Sequence, residues 1–163
     1  MANAKITNKI EIRSGSLKNA EELKAIFVKA DKARTDASCP IPQLDQDLKK
    51  RNSWVKMAVI DGKIVGFISG EPTVIDNKPV EGIEHIKSVA VDPDYWGQGI
   101  GRLLLDKTLE SLKQKGKKGA ELWTHETNER AQKLYEGRGF KKTGEKKSSE
   151  RTGEPIIHYS LDF

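Results

Sequence analysis

The N-terminal part of the chain predicts one short strand followed by one amphipathic helix. Apolar and polar residues alternate over residues 10–13, a period typical of a half-buried strand. Asn19 with Glu22 resembles a capping box at the start of a helix. Apolar residues then recur at helical spacing, namely Leu23, Ile26, Phe27 and Ala30. We therefore expect this helix to pack one face on a sheet.

The middle of the chain predicts a β-hairpin. Residues 54–60 and 63–69 are rich in β-branched and aromatic residues, which favours strands. The dipeptide Asp61-Gly62 between them is typical of a tight hairpin turn. We expect these two strands to pair with each other.

The segments on either side of this hairpin have looser patterns. Between residues 31 and 52 a Cys-Pro-Ile-Pro run interrupts the helical spacing, and we expect a short helix near residues 46–51. We interpret residues 71–82 as a linker, because two prolines and a glycine fall within it. A β-branched central strand is expected over residues 83–91.

The C-terminal half predicts two helices and three strands. Leucines 105, 109 and 112 mark the buried face of a helix that ends at Gly116. A strand over residues 120–124, a short helix over residues 128–136 and a final pair of strands follow. This order lacks the strict alternation of a doubly wound fold, so we expect a single α+β domain over residues 1–163.

The turn between the central strand and the next helix carries the clearest chemical signal. It reads Asp-Pro-Asp-Tyr-Trp-Gly-Gln-Gly-Ile-Gly-Arg over residues 92–102. Its glycines let the backbone approach a ligand closely. The first N–H groups of the following helix have no intrahelical partner and carry the positive end of the helix dipole. The turn therefore predicts a site for a phosphate-like anion.

Two familiar phosphate motifs do not fit this turn. A P-loop requires Lys and then Ser or Thr after the last glycine, whereas Arg102 and Leu103 stand there. The dinucleotide fingerprint requires a further glycine, but Arg102 and Leu104 occupy the candidate positions. Glu121 also starts the next strand, whereas the ribose-binding acid of that fingerprint belongs at the strand's end. An ATP, nicotinamide or flavin site is therefore disfavoured.

A third pattern matches. The glycine turn, followed by Asn-Glu-Arg-Ala-Gln-Lys-Leu-Tyr-Glu-Gly-Arg-Gly-Phe over residues 128–140, resembles the GNAT superfamily of acetyl-CoA-dependent N-acetyltransferases. The resemblance is specific from about Glu84 to Phe140. It implies a mixed, mostly antiparallel central sheet of about six to seven strands flanked by about four helices. Trp96 departs from the pattern, because the family usually has Gln or Arg there.

The resemblance also implies where acetyl-CoA is held. The acetyl carbonyl would face backbone N–H groups of residues 89–91, where a bulge in the family splays the central strand from its neighbour. The diphosphate would lie on the glycine turn. The implied cofactor-binding residues are Val89, Ala90, Val91, Trp96, Gly97, Gln98, Gly99, Ile100, Gly101, Arg102, Asn128, Ala131 and Tyr135.

Amine acetylation requires a base for the amine and a proton donor for the departing thiolate. The resemblance gives Tyr135 the donor role, and a phenol with an ordinary pKa of about 10 stays protonated at neutral pH. Counting back from Val91 to the family's glutamate position gives His85 as the candidate base, and its neighbour Glu84 is also a candidate catalytic residue. These two neighbours point to opposite faces of a strand. A structural role for His85 stays open, since other relatives use a water chain as the base.

Composition and charge limit the alternatives. The chain has 29 Lys and Arg against 24 Asp and Glu, and a net charge of +5. Its lysines form short runs, whereas a nucleic-acid-binding domain needs a continuous basic face, so we expect no nucleic-acid partner. No apolar run is long enough to span a membrane. The single cysteine, Cys39, cannot form an internal disulfide, so we expect a cytoplasmic protein.

The sequence lacks the residue patterns that metal-dependent and serine hydrolase catalysis require. The three histidines are far apart in the sequence and no zinc-protease motif is present, so we expect no metal. Ser88 does not lie in a Gly-x-Ser-x-Gly motif. The alternatives to an acetyltransferase are an acyl-CoA-binding module without turnover and a basic DNA-binding domain. The amine acceptor, either a small molecule or a peptide, and pairing as a homodimer stay open.

Overall fold

The computed structural model describes residues 9–35 and 43–163 and contains one seven-stranded sheet. The strands are β1 Glu11–Ser14, β2 Trp54–Ile60, β3 Lys63–Ile75, β4 Lys78–Val91, β5 Gly119–His125, β6 Lys141–Ser148 and β7 Pro155–Asp162. The helices are α1 Ala20–Thr35, α2 Leu44–Asp47, α3 Ile100–Gln114 and α4 Glu129–Glu136. Cys39 lies outside the described residues.

The sheet is mixed, and one parallel pair lies at its centre. The strand order is β1-β2-β3-β4-β5-β7-β6. Every neighbouring pair is antiparallel except β4 and β5. Together with its four helices, this sheet confirms the fold class expected from the sequence.

The two faces of the sheet bury two separate apolar clusters. The helices α3 and α4 cover one face, where Leu104 and Leu105 are fully buried. The helices α1 and α2 cover the other face, where Leu23 and Leu44 are buried. Alternate residues of β2 enter opposite clusters, for example Ala58 on one side and Val55, Met57 and Val59 on the other. The central strands are therefore buried on both faces.

The start of α1 differs from the predicted capping box. The box is formed by Ser16 and Asn19, since the Ser16 N–H donates to Asn19 Oδ1 at 3.0 Å. Asn19 is therefore the third residue of a short 3₁₀ turn, and α1 begins after it. The expected pairing of Asn19 with Glu22 is wrong by one turn. The short helix expected near residues 46–51 is α2, and it lies earlier.

The segment interpreted as a linker is an extension of two strands. β3 and β4 pair beyond Glu71, as far as the turn at Asp76 and Asn77. Both turn residues have positive φ, of 51° and 62°, as a tight hairpin turn requires. Pro72 and Pro79 lie in this ribbon, outside the registers of β2 and β5. The missing proline N–H groups cost little there, because no further strand needs them.

The two parallel strands pair over only part of their length. β4 and β5 are in register from Ile83 with Gly119 to Ile86 with Leu122. β4 continues to Val91 and β5 to His125 without pairing with each other, although β4 stays paired with β3 and β5 with β7. Lys87 is the extra residue of a bulge against β3. The strands diverge at this bulge and open a wedge at their carboxyl ends.

Candidate active site

A cavity of about 630 Å³ lies where β4 and β5 diverge. The diverging ends of both strands form part of its wall, and the rest comes from α1, the glycine turn, α3, α4 and Arg151. Most predicted cofactor-binding residues line this cavity: Val89, Ala90, Val91, Trp96, Gly97, Gly99, Ile100, Gly101, Arg102, Asn128, Ala131 and Tyr135. Gln98 is not part of the lining. The fold thus brings two distant sequence segments to one site.

The glycine turn offers open backbone at the start of α3. Gly97 and Gly99 have φ of 82° and 76°, and a Cβ atom on either would meet no atom within 4 Å. The first bond of α3 runs from Leu103 N–H to the Gly99 carbonyl at 2.9 Å. The amides before Leu103 are therefore available to a ligand. This open, positively polarised cradle fits the diphosphate of acetyl-CoA.

Trp96 links the glycine turn to the end of β4 and to α4. Its indole Nε1 donates to the Val91 carbonyl at 2.8 Å, so the turn is tied back to the end of β4. The Arg130 guanidinium of α4 lies over the indole, 4.4 Å from the ring centroid. Such a cation–π contact adds a second tie between the turn and α4. The tryptophan that departs from the family pattern thus has a structural role here.

A lysine of α1 clamps the same turn from the other side. Lys29 Nζ lies 2.8 Å from Asp92 Oδ1 and 2.7 Å from Asp94 Oδ2. Burial of Asp92 alone would raise its pKa, but the hydrogen bonds from Lys29 and the Asp94 N–H hold this pKa below its ordinary value. Asp92 is therefore ionised at neutral pH. The helix that borders the cavity and the glycine turn are joined by this ion pair.

Tyr135 faces the cavity from a largely apolar setting. The residue is 7% exposed and its ring contacts those of Phe140 and Tyr159, at centroid distances of 5.9 and 6.2 Å. Its hydroxyl has no hydrogen-bond partner among the described residues. Burial raises the pKa of this hydroxyl well above its ordinary value. The phenol therefore stays protonated throughout the neutral range.

Asn128 caps the helix that carries Tyr135. Its side-chain Oδ1 accepts the Ala131 N–H at 3.2 Å, which satisfies one free amide at the start of α4. Asn128 also lines the cavity. Asn128 is thus both the N-cap of α4 and part of the cavity wall.

The predicted base His85 lies away from the cavity wall. Its Nδ1 is 2.7 Å from Glu121 Oε1. Glu121 also interacts with His158 Nε2 at 3.0 Å and accepts from the Thr73 hydroxyl at 3.0 Å. Burial alone would raise the pKa of Glu121, but its hydrogen bonds, first of all from His85, lower it. This carboxylate thus connects side chains of β3, β4 and β7.

Glu84 lies on the opposite face of β4, as alternation requires. It is 4% exposed, and its Oε1 accepts from the Trp54 indole at 3.1 Å. Its Oε2 has no hydrogen-bond partner and lies 3.9 Å from Lys117 Nζ. Neither Glu84 nor His85 is among the cavity-lining residues. Their catalytic roles stay predictions.

The structure adds residues to the site that the sequence pattern did not indicate. The cavity wall also includes Phe27 and Arg34 of α1, Trp123 and His125 of β5, and Arg151 between β6 and β7. A signal for His125 existed, because it ends a strand parallel to β4 and carboxyl ends of parallel strands meet at one edge. No local pattern marks Arg151.

Two further absences hold within residues 9–35 and 43–163. No group of three or more His, Cys, Asp and Glu side chains there is arranged to hold a metal ion. No helix of that part of the chain has the length and apolar character needed to cross a bilayer.

Known proteins share this sequence pattern. The pattern described as the acetyltransferase (GNAT) family matches residues 20–140. An uncharacterized N-acetyltransferase of Methanocaldococcus jannaschii is 35% identical over 93 residues, which are 57% of this chain and 41% of the relative. An uncharacterized N-acetyltransferase of Archaeoglobus fulgidus is 28% identical over 134 residues, 77% of this chain and 89% of the relative. The chain thus spans less than half the length of the first relative and most of the second.

A solved structure shares the fold. The PaiA N-acetyltransferase of Thermoplasma acidophilum, in complex with coenzyme A, superposes with a TM-score of 0.69. The superposition covers 95% of this chain and 99% of that protein, at 18% sequence identity. At that identity the likeness concerns the fold alone.

Proposed function

The chain belongs to the GNAT family of acetyl-CoA-dependent acyltransferases, and from this premise we propose that it transfers acetyl directly to a primary amine in a ternary complex. The acceptor is either a small molecule, such as an amino acid, a polyamine or a drug-like amine, or a peptide or protein amine. One observation carries the proposal. The wedge between β4 and β5, the glycine turn and Tyr135 share one cavity.

Different parts of the chain would bind the cofactor and stabilise the reacting acetyl group. The amides of the glycine turn and the start of α3 would hold the diphosphate. Acetyl-CoA supplies an acetyl group activated as a thioester. Beyond Ile86, β4 pairs with β3 but not with β5. The backbone amides on its β5 side can therefore stabilise negative charge that develops on the acetyl oxygen.

Tyr135 completes the transfer in this proposal. The nitrogen–carbon bond forms as the carbon–sulfur bond breaks, and the departing sulfur takes a proton from the Tyr135 hydroxyl. The raised pKa of this hydroxyl keeps the proton available at neutral pH. The amine would enter from the side of α1 and β5, because α3 and α4 occupy the cofactor side.

The test measures free thiol released from acetyl-CoA with a panel of amines. The panel contains amino acids, polyamines and peptides with free N-termini, and a reaction without amine is the control. We expect amine-dependent thiol release and an acceptor heavier by one acetyl group. Acetyl-CoA uptake in calorimetry without thiol release for any amine would favour a binding module. Strongly salt-dependent binding of duplex DNA would favour a nucleic-acid partner.

Two expectations about the protein's setting belong to the same proposal. We place the reaction in the cytoplasm, and the single cysteine of the sequence is compatible with a reducing compartment. A homodimer stays open, and sedimentation of the purified protein with and without acetyl-CoA would decide it.

A further inference from the structure

His125 lies at the carboxyl end of β5, next to the part of β4 that no longer pairs with β5. It lines the cavity together with Trp123, which precedes it by two residues and lies on the same face of the strand. On the proposed function, the amine must lose its proton in this wedge. We propose that His125 is the general base that accepts this proton, and that Thr152 and Glu154 position its ring.

The imidazole of His125 is held at one nitrogen. Its Nε2 lies 2.8 Å from Thr152 Oγ1 and 3.7 Å from Glu154 Oε2. That carboxylate oxygen is buried and has no hydrogen-bond partner. An Nε2–H would therefore donate to Thr152 and face an uncompensated carboxylate, an arrangement that orients a catalytic imidazole.

The turn that carries these two residues is itself fixed. The Thr152 N–H donates to Ser149 Oγ at 3.2 Å, and the Glu154 N–H donates to Thr152 Oγ1 at 3.3 Å. The turn is thus a rigid support for the ring. With the proton on Nε2, Nδ1 is the accepting nitrogen, and it has no partner within the described residues.

The charges around His125 favour its neutral form. Arg34 and Asp31 face it from α1, and Arg151 and Glu154 face it from the segment between β6 and β7. Burial is the main cause that lowers the His125 pKa, and the two arginines lower it further. The two carboxylates act in the opposite direction without reversing the shift. A neutral imidazole at neutral pH is able to take a proton.

The protons of the reaction balance when His125 acts as the base and Tyr135 as the acid. The ammonium nitrogen of the acceptor loses two protons on becoming an amide. His125 Nδ1 accepts one before the attack and passes it to solvent. The other proton leaves to solvent as the amide forms, while the sulfur takes a proton from Tyr135, which regains one from solvent. One proton is released overall.

His85, the base that the family resemblance implies, is the competing candidate. It is also a histidine on a central strand, but it contacts Glu121 and does not line the cavity. We would compare His125→Gln and His85→Gln with the unmodified protein in kcat/KM from about pH 5 to about pH 9. Acetyl-CoA affinity and the unfolding midpoint would be measured for each variant.

The expected result separates the two histidines. The unmodified protein should show a rise of kcat/KM with pH that reflects a base with a lowered pKa. His125→Gln should lose this rise and about 100-fold in rate, with acetyl-CoA affinity unchanged. On this proposal the base is not His85, so His85→Gln should keep the rise of kcat/KM with pH and the rate. Persistence of the rise in His125→Gln, or its loss in His85→Gln, would overturn the assignment of His125.

A second variant keeps the test valid if His125→Gln folds poorly. Glu154→Gln removes a carboxylate that raises the His125 pKa, so the rise of kcat/KM should move to lower pH. An unmoved profile would contradict the positioning role. An unmodified protein that binds acetyl-CoA but releases no thiol with any amine contradicts the proposed function itself. Normal thiol release with a normal His125→Gln variant contradicts only the role of His125.

Discussion

Tyr135 is the residue whose removal should affect chemistry more than binding. Its hydroxyl has no partner among the described residues, so Phe at this position leaves no other group unsatisfied. We expect Tyr135→Phe to lower kcat about 100-fold, the lower range of general acid catalysis. Acetyl-CoA affinity, measured by calorimetry, should stay the same.

A second buried tyrosine supplies the control for this variant. The Tyr159 hydroxyl donates to Glu136 at 3.0 Å, and Tyr159 is not among the cavity-lining residues. Tyr159→Phe should cost about 1 kcal/mol of unfolding free energy without a comparable loss of kcat. Equal turnover by Tyr135→Phe and the unmodified protein would remove Tyr135 from the mechanism.

Asn128 allows its cap and binding roles to be separated. Asn128→Ala removes the acceptor for the Ala131 N–H, and we expect a loss of about 1 kcal/mol in urea unfolding. Asn128→Asp keeps a capping oxygen and should retain most of this stability. A loss of acetyl-CoA affinity in both variants would indicate a contact with the cofactor. Unchanged stability of Asn128→Ala would contradict the cap.

At the scale of elements, the second residue of α3, Gly101, is a glycine whose conformation does not require one. A Cβ atom on Gly101 would lie 3.6 Å from Leu134 and 3.8 Å from Val91, which is ordinary contact, and its φ is not in the left-handed region. We expect Gly101→Ala to raise the unfolding free energy by up to about 1 kcal/mol. The added methyl group narrows the cavity that Gly101 lines, so acetyl-CoA should bind more weakly.

Gly99, two residues before Gly101, is the matched control, because an alanine there should destabilise the fold. Gly99 has φ of 76°, and an alanine there is strained by about 1 kcal/mol or more. Gly99→Ala should therefore lower the unfolding temperature, whereas Gly101→Ala should not. Undiminished acetyl-CoA affinity of Gly101→Ala, measured by calorimetry, would argue against close approach of the cofactor to the start of α3.

The elements differ in how well the sequence predicts them. The Asp61-Gly62 hairpin and the glycine turn depend on local conformation, so a few residues suffice to predict them. The prolines on either side of Asp76 favour a linker there, because prolines usually interrupt strands. Those prolines are accepted there since the ribbon extends beyond its neighbouring strands. Which strands lie next to a segment depends on the whole sheet, so the segment's own residues do not predict it.

The site shows the same division between local and long-range information. The proposed cofactor side consists of contiguous motifs, and the structure places nearly all of those residues on the wall of one cavity. The proposed acceptor side combines Phe27, His125 and Arg151, which line the cavity from three distant segments. Only the sheet order and the divergence of β4 from β5 bring them together. The sequence marks His125 only as the end of a strand, and the structure places it on the cavity wall and His85 away from it.

On the scale of the whole molecule, Glu121 connects the sheet at the start of the wedge. It lies on β5 and interacts with Thr73 of β3, His85 of β4 and His158 of β7. Since the strands separate immediately beyond this point, the carboxylate opposes further opening. Its hydrogen bonds outweigh the effect of burial and lower its pKa. The folded state therefore favours the ionised carboxylate.

The pH dependence of stability follows from this lowered pKa. A carboxyl whose pKa is lower in the folded state stabilises the fold above its unfolded pKa of about 4.3. That contribution disappears as the pH falls through the folded value. We expect Glu121→Gln to cost about 1 to 3 kcal/mol in urea unfolding at neutral pH, and the difference should shrink below about pH 4. Glu110→Gln, at an exposed site on α3 that pairs with Lys107 at 3.7 Å, should show neither effect. A pH-independent difference for Glu121→Gln would mean that packing, and not the ionised carboxylate, holds the strands together at the wedge.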